Sequence, residues 1–184
     1  MNFKFPLILA SASPRRRELL ATLGIDFVVR IPEVDESLNP GEAPRSFAER
    51  LAREKAAAVA CNGVVIAADT IVVHAGKILG KPSEMSEARG MLTTLSGQAH
   101  EVITGVCVAG ATRVEVFSVV TKVKFRQLTD LEIAAYVATG EPMDKAGSYA
   151  IQGGAASMIR TIEGSYTNVV GLPLCELYEV LVSF

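Results

Sequence analysis

The sequence carries no excess of positive charge; its formal net charge is -2 at pH 7. A uniformly basic surface of the kind that grips duplex nucleic acid is therefore excluded. Cysteine is scarce: Cys61, Cys107 and Cys175 are far apart and odd in number. No Cys-x-x-Cys spacing occurs, so neither a zinc ribbon nor a disulfide framework is indicated. Histidine is scarcer still, with His74 and His100 too far apart for a helical metal pair. No Gly-x-Gly-x-x-Gly follows the first apolar run, and Gly-Lys-Ser/Thr is absent. Those two absences exclude the dinucleotide-binding and P-loop fingerprints. Long hydrophobic runs are missing as well. The apolar stretch before Arg15 is too short to span a membrane and reads as a strand rather than a signal peptide. Internal repeats and low-complexity tracts are absent. A reducing, cytoplasmic setting is the expectation.

What the chain does have is apolar mass. Of its 184 residues 49% are hydrophobic, enough for one domain or for two small lobes sharing a core. The run 6–10 reads as a buried strand. Ser13 then offers an N-cap, Pro14 a first helical position and Gly24 a stop, which predicts a helix over 14–23. A strand at 27–31, an acidic proline-rich loop at 32–44 and a helix from 44 or 45 to 60 follow. An apolar strand at 64–68 ends on Asp69-Thr70. Segments 71–74 and 77–79 flank an Ala75-Gly76 turn. Next come a helix at 86–95, two long strands at 101–109 and 113–125, and a capping box of Thr129 and Glu132 that opens a helix. Segments 149–152 and 157–162 read as strands, and Pro173 starts a last helix. This order predicts a mixed α/β fold, a long twisted sheet flanked by helices, with no strong linker between independent domains.

Positive charge is concentrated where a phosphate can use it. Arg15, Arg16 and Arg17 stand in the first turn of the helix that follows Ser11-Ala12-Ser13-Pro14. A helix N-terminus turns unpaired N–H groups and a positive dipole end toward an anion. Arginines there oppose the dipole, yet they offer forked donors to phosphate. The alternative is a solvated basic face. Lys55 falls on the apolar stripe of Phe47, Leu51 and Val59, so it either snorkels to water or reaches a buried anion. Asp69 follows a buried strand directly. A carboxylate there is costly unless paired, hydrogen-bonded or metal-bound, the plainest alternative being an aspartate that bonds turn amides. Glu33, Asp35 and Glu36 form an acidic loop, solvated unless one of them converges on Asp69 to hold a hard divalent ion. Lys81 lies in a Gly80-Lys81-Pro82 loop. Gln152 ends a Gly-flanked segment, and its amide suits the edge of a nucleobase, unless the segment is an ordinary turn and strand.

Six stretches, in order, resemble the motifs of the Maf proteins. They are LILASASPRRRELL at 7–20, Ala67-Ala68-Asp69-Thr70, Gly80-Lys81-Pro82, Leu95-Ser96-Gly97 with His100 and Thr104-Gly105, PMDKAGSYAIQG at 142–153, and NVVGLP at 168–173. The resemblance spans essentially the whole chain. It implies an α/β fold related to the inosine-triphosphatase group, in a single domain whose two lobes would flank the active site. It also implies a nucleoside-triphosphate pyrophosphatase that releases a nucleoside monophosphate and pyrophosphate with Mg²⁺ or Mn²⁺. A homodimer with no requirement for nucleic acid or membrane goes with it. By position, Asp69 corresponds to the catalytic acid that accepts a proton. Ser13, Arg15 and Arg16 correspond to the phosphate-binding loop, and Lys55 and Lys81 to basic residues of the pocket. Glu36 joins Asp69 as a metal-site acid. Arg15, Thr70 and Gln152 match the branch acting on dTTP and UTP, whereas the 7-methyl-GTP branch carries Trp, Gln and Glu there. Two other functions remain open at this point: a 7-methyl-GTP pyrophosphatase, and a regulator that binds nucleotide or nucleic acid without hydrolysing it.

Overall fold

A computed structural model describes residues 5–59 and 62–184. The N-terminal residues 1–4, Cys61 and the expected end of the second helix at Ala60 lie outside the described residues. The strands are β1 (Leu7–Ala10), β2 (Phe27–Arg30), β3 (Val64–His74), β4 (Lys77–Leu79), β5 (Ala99–Ala109), β6 (Val114–Phe125) and β7 (Ile159–Glu163). The helices are α1 (Pro14–Ala21), α2 (Pro44–Ala57), α3 (Met85–Leu95), α4 (Asp130–Ala138), α5 (Tyr166–Val170) and α6 (Leu174–Val182). The sheet is seven-stranded in the order β2-β1-β3-β5-β6-β7, with β4 paired to β3. It is mixed: β1 runs parallel to β2 and β3, while β4 is antiparallel to β3 and β7 to β6.

The chain divides into two compact units. The first holds the described residues of Met1–Thr70 together with Thr104–Val119 and Gly171–Phe184. Its parallel strands β1 and β3 read as near-continuous apolar runs, as buried parallel strands do. Ile8, Ala10, Val65, Ala67 and Cys107 pack there on Ala52, Ala56 and Val59 of α2 and its end. A close backbone approach fixes α2 against β5. A Cβ placed on Gly105 would lie 2.3 Å from the Ala48 carbonyl oxygen, so the space is filled by main chain alone.

The second unit comprises Ile71–Ile103 and Val120–Val170. Its core gathers Leu92, Leu95, Val123, Phe125, Ile133, Tyr136, Tyr149 and Met158. The capping box of α4 forms as its sequence predicts. Thr129 Oγ1 accepts the Glu132 N–H at 3.3 Å, and the Glu132 carboxylate accepts the Thr129 N–H at 2.8 Å. Gly147 and Ser148 both take left-handed backbone, with φ +65° and +63°.

Two expectations require correction. Asp69 and Thr70 do not end a strand; β3 runs without a break from Val64 to His74. The segment at 149–152 leads into a turn rather than a strand, and amides in and beside it bond outside the sheet. Ala150 N–H donates to the Tyr136 hydroxyl at 3.2 Å, and Gly153 N–H returns to the Ala150 carbonyl at 3.1 Å. The short helix α5 was not expected from the pattern.

His100 lies buried between Phe125 and Tyr149, edge-on to both rings, with Nε2 2.8 Å from the Tyr149 hydroxyl. Nδ1 is buried with no hydrogen-bond partner. Burial pushes the imidazole pKa down from 6.5 to about 4. A folded-state value below the unfolded one means that folding favours the neutral ring. That stabilisation is complete above about pH 6.5 and is lost progressively as pH falls toward 4, for about 3 kcal/mol in all. Denaturant unfolding at pH 7 and pH 4.5 is expected to show a smaller acid loss for His100→Gln than for the parent chain. Equal acid losses in the two proteins would remove His100 as the source.

Candidate active site

β1 delivers the chain into a loop of small hydroxyl residues. Ser11 is buried; its N–H donates to the Arg30 carbonyl at 3.0 Å and its Oγ accepts the Ser13 N–H at 3.1 Å. Ser13 caps α1, its Oγ accepting from the Arg16 N–H at 3.4 Å, and Pro14 takes the first helical position. The predicted start of α1 is therefore met. Its end comes at Ala21, where the Thr22 hydroxyl bonds the Leu19 carbonyl. Arg15 and Arg16 are half-buried in the first turn and Arg17 is exposed.

Arg16 is held on one edge of its guanidinium. Nε donates to the Gly171 carbonyl at 2.7 Å and Nη2 to Thr70 Oγ1 at 2.9 Å. Burial pulls its pKa below the ordinary arginine value, and the nearby Asp69 carboxylate opposes that pull. Arginine stays charged throughout, so a permanent cation stands beside Asp69.

Asp69 is only 8% exposed, and Lys55 only 7%. Lys55 takes the second of the two courses open to a lysine on an apolar stripe: its Nζ reaches Asp69 Oδ1 at 2.7 Å. The same ammonium lies 2.5 Å from Glu36 Oε1. One lysine thus gathers two carboxylates, one from β3 and one from the loop before α2. Of the other two loop acids, Asp35 turns to its own backbone and accepts the Ser37 N–H at 2.9 Å. Glu33 is exposed.

The donor chemistry suits a hard divalent cation. Two carboxylate oxygens already converge on one positive charge, and Mg²⁺ takes one or two carboxylates together with water and substrate phosphates. Among the described residues no group of three or more His, Cys, Asp or Glu forms a cage made by protein alone. A metal here would therefore depend on oxygens from water or substrate.

Lys81 and Gln152 belong to the second unit, and both are exposed. Their segments are tied together there, since the Gly147 N–H donates to the Gly80 carbonyl at 3.0 Å. The first unit brings together Ser13, Arg15, Arg16, Glu36, Lys55, Asp69 and Thr70. Two of its contacts escaped sequence reasoning as site residues, Thr104 and Gly171. Thr104 Oγ1 lies 2.9 Å from Thr70 Oγ1. A lone hydroxyl within Val102-Ile103-Thr104-Gly105-Val106 was the available signal, because an apolar strand rarely keeps one without a partner. Gly171 contributes a carbonyl, which no side-chain pattern can announce.

Comparison with known proteins gives a consistent result. The family described as Maf-like protein matches over residues 6–184. A dTTP/UTP pyrophosphatase of Geobacter sulfurreducens is 58% identical over 180 residues, covering 95% of this chain and 94% of the relative. One from Syntrophomonas wolfei is 52% identical over 178 residues, covering 94% of each. A solved structure of the Staphylococcus aureus Ham1 protein aligns with 65% of this chain and 71% of its own at TM-score 0.47 and 17% identity.

The buried Lys55–Asp69 pair gives a stability prediction. Breaking such a pair from one side leaves an uncompensated charge, so Lys55→Met is expected to cost about 3 kcal/mol by urea unfolding. Adding Asp69→Asn removes the orphaned charge and is expected to recover most of that loss. If the two substitutions instead cost the sum of their separate effects, the pair is not coupled.

Proposed function

The chain belongs to the Maf family, and on that premise we propose that it hydrolyses dTTP and UTP to the nucleoside monophosphate and pyrophosphate. The observation that carries the proposal is the cluster of Asp69, Lys55 and Glu36 with the Arg16 guanidinium beside it. A site built only to bind phosphate has no use for two acids among its cations. A hydrolase does, because a proton must leave the attacking water. The names of the relatives support the choice of nucleotides, as do Arg15 and Gln152 through the resemblance.

In this reading the polyphosphate lies against the N-terminus of α1. Arg15, Arg16, Lys55 and Lys81 neutralise its charge, and Ser13 shapes the loop that receives it. Asp69 Oδ1 is engaged by Lys55. Its second oxygen makes no hydrogen bond among the described residues, which suits it to take the proton of a water adding to phosphorus. The anhydride bond between the α- and β-phosphates breaks and pyrophosphate departs. Glu36 and Asp69 would hold the Mg²⁺ or Mn²⁺ that, when bound, supplies charge neutralisation and Lewis acidity. Fixed charges do most of the work, because phosphoryl transfer asks for positioning and electrostatics more than for covalent help. Gln152 reads the pyrimidine edge, a role that rests on the resemblance. The same reading makes the protein a cytoplasmic homodimer acting on free nucleotides. Among the described residues no helix is long and apolar enough to cross a membrane.

Incubation with dTTP or UTP and Mg²⁺ is expected to release pyrophosphate and the monophosphate, identified by mass. Asp69→Asn is expected to lower kcat between about a hundredfold and ten-thousandfold. Calorimetry should still detect a non-hydrolysable UTP analogue on that variant. Near-parental turnover by Asp69→Asn would remove Asp69 from the chemistry, and release from 7-methyl-GTP in preference to UTP would overturn the substrate assignment.

A further inference from the structure

We infer that Thr104 and Gly171 are positioning residues for Arg16, and that Thr70 acts on the reaction through the Arg16 guanidinium rather than by touching a nucleobase. The inference rests on the reading of Arg16 as a polyphosphate ligand.

Three protein groups lie on the Thr70 oxygen. Arg16 Nη2 is 2.9 Å away, Thr104 Oγ1 2.9 Å and the Gly171 carbonyl 3.5 Å. The guanidinium can only donate, so the Thr70 oxygen is its acceptor. The remaining short contact joins the Thr70 and Thr104 hydroxyls, since a carbonyl at 3.5 Å is at the limit of a hydrogen bond. Thr104 is fully buried on β5, so this partner has no route to rotate into solvent. The Thr70 hydroxyl is therefore committed inside the protein and poorly placed to read a base.

Gly171 works on the neighbouring nitrogen. Its carbonyl accepts Nε at 2.7 Å, the shortest contact Arg16 makes. Its φ is +126°, backbone that residues bearing a Cβ rarely adopt. A Cβ there would also lie 3.4 Å from Thr70 Oγ1 and 3.5 Å from Arg16 Nε. Glycine is thus what lets this carbonyl face the arginine.

The two contacts fall on one edge of a planar group. A guanidinium offers five N–H donors: one fork of Nε and Nη2, a second fork of Nη1 and Nη2, and a last N–H on Nη1. With Nε and Nη2 clamped by protein, the edge between Nη1 and Nη2 is the one left to face an anion bidentately. Nη1 makes no hydrogen bond among the described residues. Loss of the Thr104 hydroxyl would free Thr70 to rotate and loosen the clamp without removing any group that meets substrate.

A double-mutant cycle tests this, with kcat and KM measured for UTP and for 7-methyl-GTP, and melting temperatures alongside. Thr104→Val is expected to lower kcat/KM for UTP roughly fivefold, the worth of one hydrogen bond between neutral groups. In an Arg16→Lys background the same change is expected to cost less than about twofold, because the clamped group is gone. Thr70→Val should behave like Thr104→Val, and Thr70→Ser, which keeps the hydroxyl, should recover most of that loss. If Thr104→Val does not fold, the Thr70 pair decides alone. The ratio of UTP to 7-methyl-GTP should stay constant across the Thr70 variants. A shift in that ratio, or equal costs in both backgrounds while Arg16→Lys is itself impaired, overturns the inference and leaves the hydrolase reading standing. Parental kcat/KM in Arg16→Lys overturns the phosphate role of Arg16 and the inference with it.

Discussion

A carboxylate buried in the middle of a strand must be neutralised from elsewhere in the chain, and at Asp69 that demand falls on Lys55. Left alone in an apolar sheet the charge would cost several kcal/mol. Lys55 can answer only if α2 packs closely on the sheet, and Gly105 on β5 allows that approach by having no side chain where the Ala48 carbonyl sits. The four-residue spacing of Phe47, Leu51 and Val59 then turns Lys55 toward the sheet with the apolar residues rather than toward water. Glu36 is drawn to the same ammonium from the loop before the helix. A helix placed by packing thereby places a charge, and the charge gathers two acids.

Arg16 completes the arrangement from another direction. It reaches the Asp69 neighbourhood from the first turn of a helix whose dipole disfavours it. Its hold comes from tertiary contacts, the Gly171 carbonyl and the Thr70 hydroxyl. Cations and acids are thus interleaved over a few residues of the first unit. Such a mixture suits a reaction in which a polyanion must be bound while one water gives up a proton. Preorganised charge of this kind acts without reorganisation when the anhydride bond breaks.

Much of this was legible in the sequence, and the reasons are local. Ser13-Pro14 and the pair Thr129 and Glu132 announce helix starts because capping is a matter of a few neighbouring residues. Lys55 on an apolar stripe is visible because a helix repeats every few residues. The strand through Asp69 was misread as ending there, since the partner that neutralises its carboxylate is a lysine 14 positions earlier in the chain. The turn at 149–152 was misread because the Ala150 amide bonds the Tyr136 hydroxyl, a partner no periodicity reports. Gly171 was invisible as a site residue for the same reason: its contribution is a carbonyl direction. Lys81 and Gln152 enter the site by resemblance alone, and both belong to the second unit.

The central claim is that the carboxylates of Asp69 and Glu36 and the guanidinium of Arg16 form one centre for a metal-bound polyphosphate. Crystals grown with Mn²⁺ and a non-hydrolysable UTP analogue test it most directly through the anomalous signal of the metal. The account predicts a manganese peak within ligand distance of the Asp69 and Glu36 oxygens, with the triphosphate lying along the N-terminus of α1. A metal peak and a triphosphate bound away from both carboxylates would contradict it.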